Sequence, residues 1–255
     1  MTAAAPSLDV VAIGNAIVDV LAPSDDAFLA EHALTKGGMQ LIDAATAESL
    51  YADMGAGKEV SGGSAANTLA GLAALGKRCG FIGQVCDDQL GEVFAHDVRA
   101  LGIRYDTPAA KGDVPTARCL ILVTPDAQRT MNTFLGASQF LPQSALDLDL
   151  IRSASILYLE GYLWDPEQPR AAMRAAIDAA RGAGRKVAFT LSDGFVIERH
   201  RADFIDLIDQ GMIDILFSNE LEIQALAQID DFDRAVASFA GRVPVLVSTR
   251  SEQGA

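Results

Sequence analysis

The chain has 255 residues, 34 acidic and 20 basic, and a formal net charge of −14. With 50% apolar and 21% charged residues, it has the composition of a folded globular protein and not of a disordered one. That charge makes nucleic acid and anionic membrane surfaces poor partners, and no apolar run approaches the ~18 residues of a membrane span.

In chain order, Asp9–Gly14 (DVVAIG) reads as a buried strand. Residues 15–43 hold the extended pieces AIVDVLA and MQLID around an acidic helical turn, Ser24–His32. A helix is expected over Ala65–Leu75 and a strand over Cys79–Val85. An amphipathic helix over Gly91–Leu101 follows, capped by Asp87 or Asp88. Residues 114–134 read as a hairpin: TARCLILV, a turn at Thr124-Pro125-Asp126-Ala127, then QRTMNTF. Strands at Ser155–Leu159, Lys186–Leu191, Ile213–Phe217 and Val243–Ser248 alternate with helices over Glu167–Arg181, after Glu198, from Asn219 and from Asp233. This alternation implies an α/β sandwich around a mostly parallel sheet. The two extended excursions look antiparallel and imply a small β lid. The expected division is a core of residues 1–14, 44–112 and 135–255, with a lid of residues 15–43 and 113–134.

Cys79, Cys86 and Cys119 form no CxxC pair and are odd in number, which favours reduced thiols and a cytoplasmic setting. Met1 to Ser7 has neither the basic nor the apolar part of a signal peptide. His32, His96 and His200 are scattered, without zinc-site spacing.

Chemistry is suggested at several points. Gly62-Gly63-Ser64-Ala65-Ala66-Asn67 opens a helix, where glycines admit a ligand close to backbone N–H groups and Asn67 can turn back toward the loop. It is not a P-loop, because no Lys-Ser or Lys-Thr follows. Asp19 interrupts an apolar stretch. It is either an outward residue on an alternating strand or a carboxylate that accepts from ligand hydroxyls. Glu160, Ser192-Asp193 and Ser218-Asn219 stand at strand ends, where α/β sheets bind ligands, although each can also be a helix cap. Asn219 and Glu222 share a helix face, either as a cap or as joint holders of a hydrated Mg²⁺. Arg129 on the hairpin is a solvated charge or a clamp on a phosphoryl group. Tyr162 and Trp164 read as core or rim, with stacking on a base as the alternative.

The ordered set resembles the ribokinase-like (PfkB) family of carbohydrate and nucleoside kinases. The resemblance rests on Ile13-Gly14-Asn15, the Gly62–Asn67 motif, Phe81-Ile82-Gly83 with Asp87–Gly91, and Ser218-Asn219-Glu220-Leu221-Glu222. Residues 36–43 and 190–195 are similar to the adenosine-kinase-like branch. The resemblance implies a three-layer ribokinase-like sandwich and ATP-dependent, Mg²⁺-assisted phosphorylation of a hydroxymethyl group, with a monovalent cation as a further candidate. It implies that Asn15, Asp19, Gly62, Gly63, Asn67 and Glu160 bind the substrate. Ser192, Asp193, Asn219 and Thr249 would lie near the nucleotide, Glu222 would hold Mg²⁺ through water, and Arg129 would face the phosphates. Adenosine, giving AMP, is the first-choice substrate, on the branch resemblance and on Tyr162, Trp164 and Phe134. Ribose, fructose and other sugars are alternatives, and a catalytically inactive nucleoside- or sugar-binding protein is a further reading. A monomer or a homodimer through the lid is expected. The family's Gly-Ala-Gly-Asp turn, which carries the catalytic base, is absent from the 255 residues. The sequence is therefore read as incomplete, with the base beyond Ala255, and as inactive in this form.

Overall fold

The computed structural model describes residues 6–255. Met1–Ala5, counted above within the core segment and the leader reading, lie outside the described residues. The chain begins with β1 (Leu8–Ile13), β2 (Ile17–Pro23), α1 (Asp26–Glu31), β3 (Met39–Leu41), α2 (Ala44–Asp53), β4 (Lys58–Gly62), α3 (Ser64–Ala74) and β5 (Cys79–Ile82). It continues through α4 (Gln89–Ala100), β6 (Arg104–Tyr105), β7 (Ala117–Val123), β8 (Arg129–Phe134), α5 (Leu148–Ser153), β9 (Ala154–Glu160) and α6 (Glu167–Gly182). The last elements are β10 (Lys186–Thr190), α7 (Gly194–Asp209), β11 (Ile215–Asn219), α8 (Glu220–Ala227), α9 (Phe232–Ala237) and β12 (Val245–Thr249).

Among the described residues, the main sheet has seven strands in the order β12-β11-β10-β9-β1-β5-β6, every pair parallel. The α/β expectation holds. Apolar runs such as Val11–Ile13 are buried because helices lie against them. On one face, Val11, Ile13, Leu157, Leu159, Phe189 and Leu216 pack with residues of α5 to α9. On the other, Ala12 and Phe81 pack with Leu69 of α3 and Phe94 of α4. Asp88 accepts from the Gly91 amide at 2.8 Å, which caps α4, and from the Thr116 hydroxyl at 2.6 Å, which ties that helix to the entrance of β7.

The second sheet has the order β3-β8-β7-β2-β4. The expected β7–β8 hairpin is present and antiparallel. The sheet as a whole is mixed, which corrects the antiparallel expectation: β2 pairs parallel with β7, and β3 with β8. Both excursions leave the main sheet in the same sense, so their first strands run side by side. A strand from a stretch assigned to the core, β4, joins this sheet antiparallel to β2. One face, with Val18, Val20, Leu120 and Leu122, packs into the core. The other carries a smaller cluster of Ile17, Ala117, Cys119 and Ile121, flanked by Leu21, Val123 and Met131.

The main sheet is covered unevenly. Ile215, Phe217 and Val247 are half-buried, Val245 is exposed, and all belong to none of the apolar clusters that surround them. They point away from α6 and α8, on the face that α3 covers only near β1, β5 and β9. A parallel sheet normally has both faces covered. No helix of the described residues is long and apolar enough to cross a membrane. This bare face should make the chain self-associate. Sedimentation velocity should show a mass that rises with concentration, and Val245→Glu should suppress the rise. A monomer at every concentration would contradict it.

Candidate active site

Because the strands run parallel, their carboxyl ends share one edge of the sheet, and the chemistry-bearing residues gather there. Gly14 follows β1. A Cβ on it would lie 2.4 Å from the Ala65 Cβ and 3.0 Å from Glu160 Oε2, so only glycine lets α3 and the end of β9 come this close. Gly63 has φ of 90°, and a Cβ there would lie 2.5 Å from the Asn15 carbonyl oxygen. At Gly62 a Cβ would overlap the Asp19 carboxyl carbon at 2.2 Å. The paired glycines thus make room for Asn15 and Asp19 as well as for a helix start. No side chain caps α3 at Gly63, which leaves its first N–H groups available.

Glu160 is 1% exposed, and its Oε1 accepts from the Ser64 hydroxyl. Burial pushes its carboxyl up to about 7, against the opposing effect of that hydrogen bond. Asn15 is buried, and its Oδ1 has no hydrogen-bond partner. Burial likewise pushes Asp19 up to about 6, while the charge of Arg129 pulls it down. Strand register places both on the open face of the second sheet. Asp19 stands opposite Cys119, Cys119 opposite Thr133, and Arg129 four residues before Thr133 on β8. Asn67 is exposed on the first turn of α3.

At the other strand ends, Asn219 and Glu222 form a reciprocal cap on α8. Asn219 Oδ1 accepts from the Glu222 amide at 2.8 Å, and Glu222 accepts from the Asn219 amide at 3.1 Å and from Nδ2 at 2.7 Å. Burial raises the Glu222 carboxyl, and the charge of Asp193 raises it further. Asp193 caps α7, accepting from the Phe195 amide at 2.8 Å. The Ser192 hydroxyl accepts from the Gly161 amide at 2.9 Å. Thr249 is exposed and pairs with Asn219 across β11 and β12. The helix-cap alternative for Asp193 and Asn219 is therefore realised, and both still line the shared edge.

Trp164 is fully buried. Its ring meets Phe189 and Phe204 edge-on at 5.8 and 5.7 Å, and Nε1 donates to Asp203 at 2.8 Å. It is core and is not available to stack on a base, which corrects the argument that drew on it. Tyr162 is half-buried, and its hydroxyl is pushed up to about 12 by burial and by the charges of Asp193, Glu160 and Glu222. Phe134, at the end of β8, is half-buried. Sequence reasoning quoted Ser64 only as part of its motif and missed its role as the partner of Glu160. Its place as the first helical residue after two glycines was the available signal. Among the described residues no cluster of three or more His, Cys, Asp or Glu side chains could hold a metal.

The profile of the pfkB family carbohydrate kinases matches residues 9–255. The guanosine-inosine kinase of Escherichia coli strain K12 is 28% identical over 234 residues, covering 87% of this chain and 53% of that protein. The probable fructokinase-6, chloroplastic, of Arabidopsis thaliana is 33% identical over 156 residues, covering 58% and 39%. The chain thus spans about half or less of these curated relatives. The adenosine kinase of Sinorhizobium meliloti superposes with a TM-score of 0.88 at 47% identity, covering 97% of this chain and 76% of that one. A probable sugar kinase from Rhizobium etli CFN 42 superposes at 0.89 with 43% identity, covering 98% and 76%.

The buried Glu160 carboxyl should leave a mark on stability. It holds its proton to about 7 in the folded chain, against an ordinary value of 4.5. Between these values the folded state binds more protons than the unfolded one, so stability should fall as pH rises. Thermal unfolding of Glu160→Gln at pH 5 and pH 8 should show a shallower decline than wild type and a higher midpoint at pH 8. The slope that remains belongs in part to Asp19, which is shifted in the same direction. An unchanged slope would mean that Glu160 ionises freely in the fold.

Proposed function

The chain belongs to the pfkB family of carbohydrate kinases. From that membership we propose that it binds a nucleoside, adenosine first, for ATP-dependent phosphorylation of its hydroxymethyl group. The observation that carries this is a lining that accepts hydrogen bonds. Asp19, the unpartnered Asn15 Oδ1 and Glu160 gather around the close approaches at Gly14, Gly62 and Gly63. Vicinal hydroxyls of a ribose supply the donors that such a lining lacks. The open face of the second sheet, with Leu21, Cys119, Ile121 and Met131, suits a flat, largely apolar base. The 47% identity with a protein described as an adenosine kinase supports the same choice. The sugar reading draws on the 43% identity with a probable sugar kinase and on the fructokinase relative.

For the nucleotide, the polar strand ends at Asn219 and Thr249 suit phosphate oxygens, and Arg129 on the second sheet adds a positive charge. Glu222 has both oxygens engaged with Asn219, so it suits a hydrated Mg²⁺ met through water and not a direct ligand. A bound Mg²⁺ supplies neutralisation of the phosphate charge. No Gly-Ala-Gly-Asp turn occurs in the sequence, and Asp19 and Glu160 lie on the acceptor side. These residues therefore supply binding more than proton abstraction.

Calorimetry with adenosine, inosine, ribose and fructose tests the reading, and adenosine should bind tightest. Asp19→Ala should weaken that binding by about ten- to hundredfold, the usual range for a hydrogen bond to a charged group. Unchanged affinity for all the compounds would place Asp19 outside the site. In a form that carries the base motif, Glu222→Gln should lower turnover and alter its Mg²⁺ dependence while leaving adenosine affinity near wild type. The 255-residue chain itself should phosphorylate adenosine far more slowly than that form. Equal rates would place the base among the residues described here.

A further inference from the structure

Ser192 has φ of 73°, in the left-handed region that a serine seldom occupies. Glycine is the ordinary residue for such a turn, so something else must account for a side chain there. Its hydroxyl accepts from the Gly161 amide at 2.9 Å and donates to the Thr190 carbonyl at 3.3 Å. The backbone register of β9 and β10 ends at Glu160 opposite Thr190. Beyond that pair the two chains are still in contact, because a Cβ on Gly161 would lie 2.5 Å from the Leu191 carbonyl oxygen. The Ser192 side chain thus supplies the next rung where the backbone ladder has stopped. The N–H it holds belongs to the peptide that joins Glu160 to Gly161. That peptide sets the direction of the Glu160 Cα–Cβ bond, while Ser64 holds the far end of the side chain.

We propose that Ser192 is a positioning residue for the acceptor site. It fixes the Glu160–Gly161 peptide and so aims the Glu160 carboxyl, and it does not serve as a contact to the nucleotide. The proposal rests on the acceptor-side reading of Glu160 given above. The left-handed turn is what turns the hydroxyl back toward β9, which accounts for a serine where glycine would be unstrained.

Two substitutions separate the hydroxyl from the backbone. Ser192→Gly keeps the turn and removes the hydroxyl, so the fold should survive. Ser192→Asn tolerates the turn and returns an acceptor oxygen. In the ligand-free protein labelled with ¹⁵N-glycine, the Gly161 amide should exchange faster in Ser192→Gly and regain protection in Ser192→Asn. By calorimetry, Ser192→Gly should bind adenosine about two- to tenfold more weakly, the range for one neutral hydrogen bond. Affinity for a non-hydrolysable ATP analogue should stay at the wild-type value, and Ser192→Asn should restore adenosine binding. An unaltered Gly161 amide in Ser192→Gly would overturn the proposal. So would loss of ATP-analogue binding with adenosine binding intact, which would make Ser192 a nucleotide contact. If the wild-type chain bound no nucleoside or sugar, the functional reading would fail. The Gly161 exchange rates would then still decide whether Ser192 holds that peptide.

Discussion

The close approach of α3 to the ends of β1 and β9 is the constraint from which the site follows. It exists because Gly14 has no Cβ, and a methyl group there would overlap Ala65 and press on Glu160. That approach brings the Ser64 hydroxyl to the Glu160 carboxyl and buries Glu160. Burial in turn raises the carboxyl to about 7. Gly63 and Gly62 extend the same device, clearing the Asn15 carbonyl and the Asp19 carboxyl respectively. The second sheet is anchored at that point as well, since β4 ends at Gly62 and pairs there with Ile17 of β2. A single larger residue at Gly14 would therefore disturb packing, the state of Glu160 and the seat of the second sheet together.

The same sheet that gathers these residues is asymmetric. Between β9 and β12, one face is dry and filled by aromatic and aliphatic side chains, including Trp164, Phe189 and Phe204. The opposite face leaves Phe217 and Val247 half-buried and Val245 exposed. Two relatives similar in structure are longer, and this chain covers 76% of each. The end of the sheet around Glu160 is well packed, whereas the side toward β12 is open. Asn219 and Thr249, proposed to meet phosphate, stand at the carboxyl ends of the two strands on that side.

Much of this was legible in the sequence, for identifiable reasons. The strands of the main sheet are short apolar runs because both of their faces were meant for burial, so DVVAIG and the run at Ser155–Leu159 stood out. The double glycine before α3 and the polar residues at strand ends marked the edge. What escaped notice lacked a periodic signal. β4 is Lys-Glu-Val-Ser-Gly, with a single large apolar residue, because its neighbours and not its own side chains hold it in place. β6 is two residues long, and α5 six. Trp164 read equally well as core or platform, since an aromatic after a strand end fits both, and only the Asp203 hydrogen bond and the surrounding rings decided it. The parallel pairing of β2 with β7 joins segments about a hundred residues apart, beyond the reach of any local pattern.

The electrostatics of the edge constrain what it can bind. Asp19, Glu160, Asp193 and Glu222 converge there in a chain of net charge −14, with Arg129 as the cation within reach of Asp19. Burial answers part of this repulsion by raising the carboxyls of Asp19 and Glu160 to about 6 and about 7. Burial thus makes Glu160 harder to ionise than an ordinary glutamate. A neutral polyol or nucleoside meets such carboxyls without adding charge. An anion adds charge to an edge that already holds four carboxyl groups, with Arg129 exposed on the second sheet. The arrangement therefore suits an uncharged ligand on the Glu160 side, in keeping with the proposed acceptor. On the proposed reading, a nucleotide on the Asn219 side would enter with its charge offset by a cation, which is the division of labour that phosphoryl transfer to a neutral hydroxyl requires.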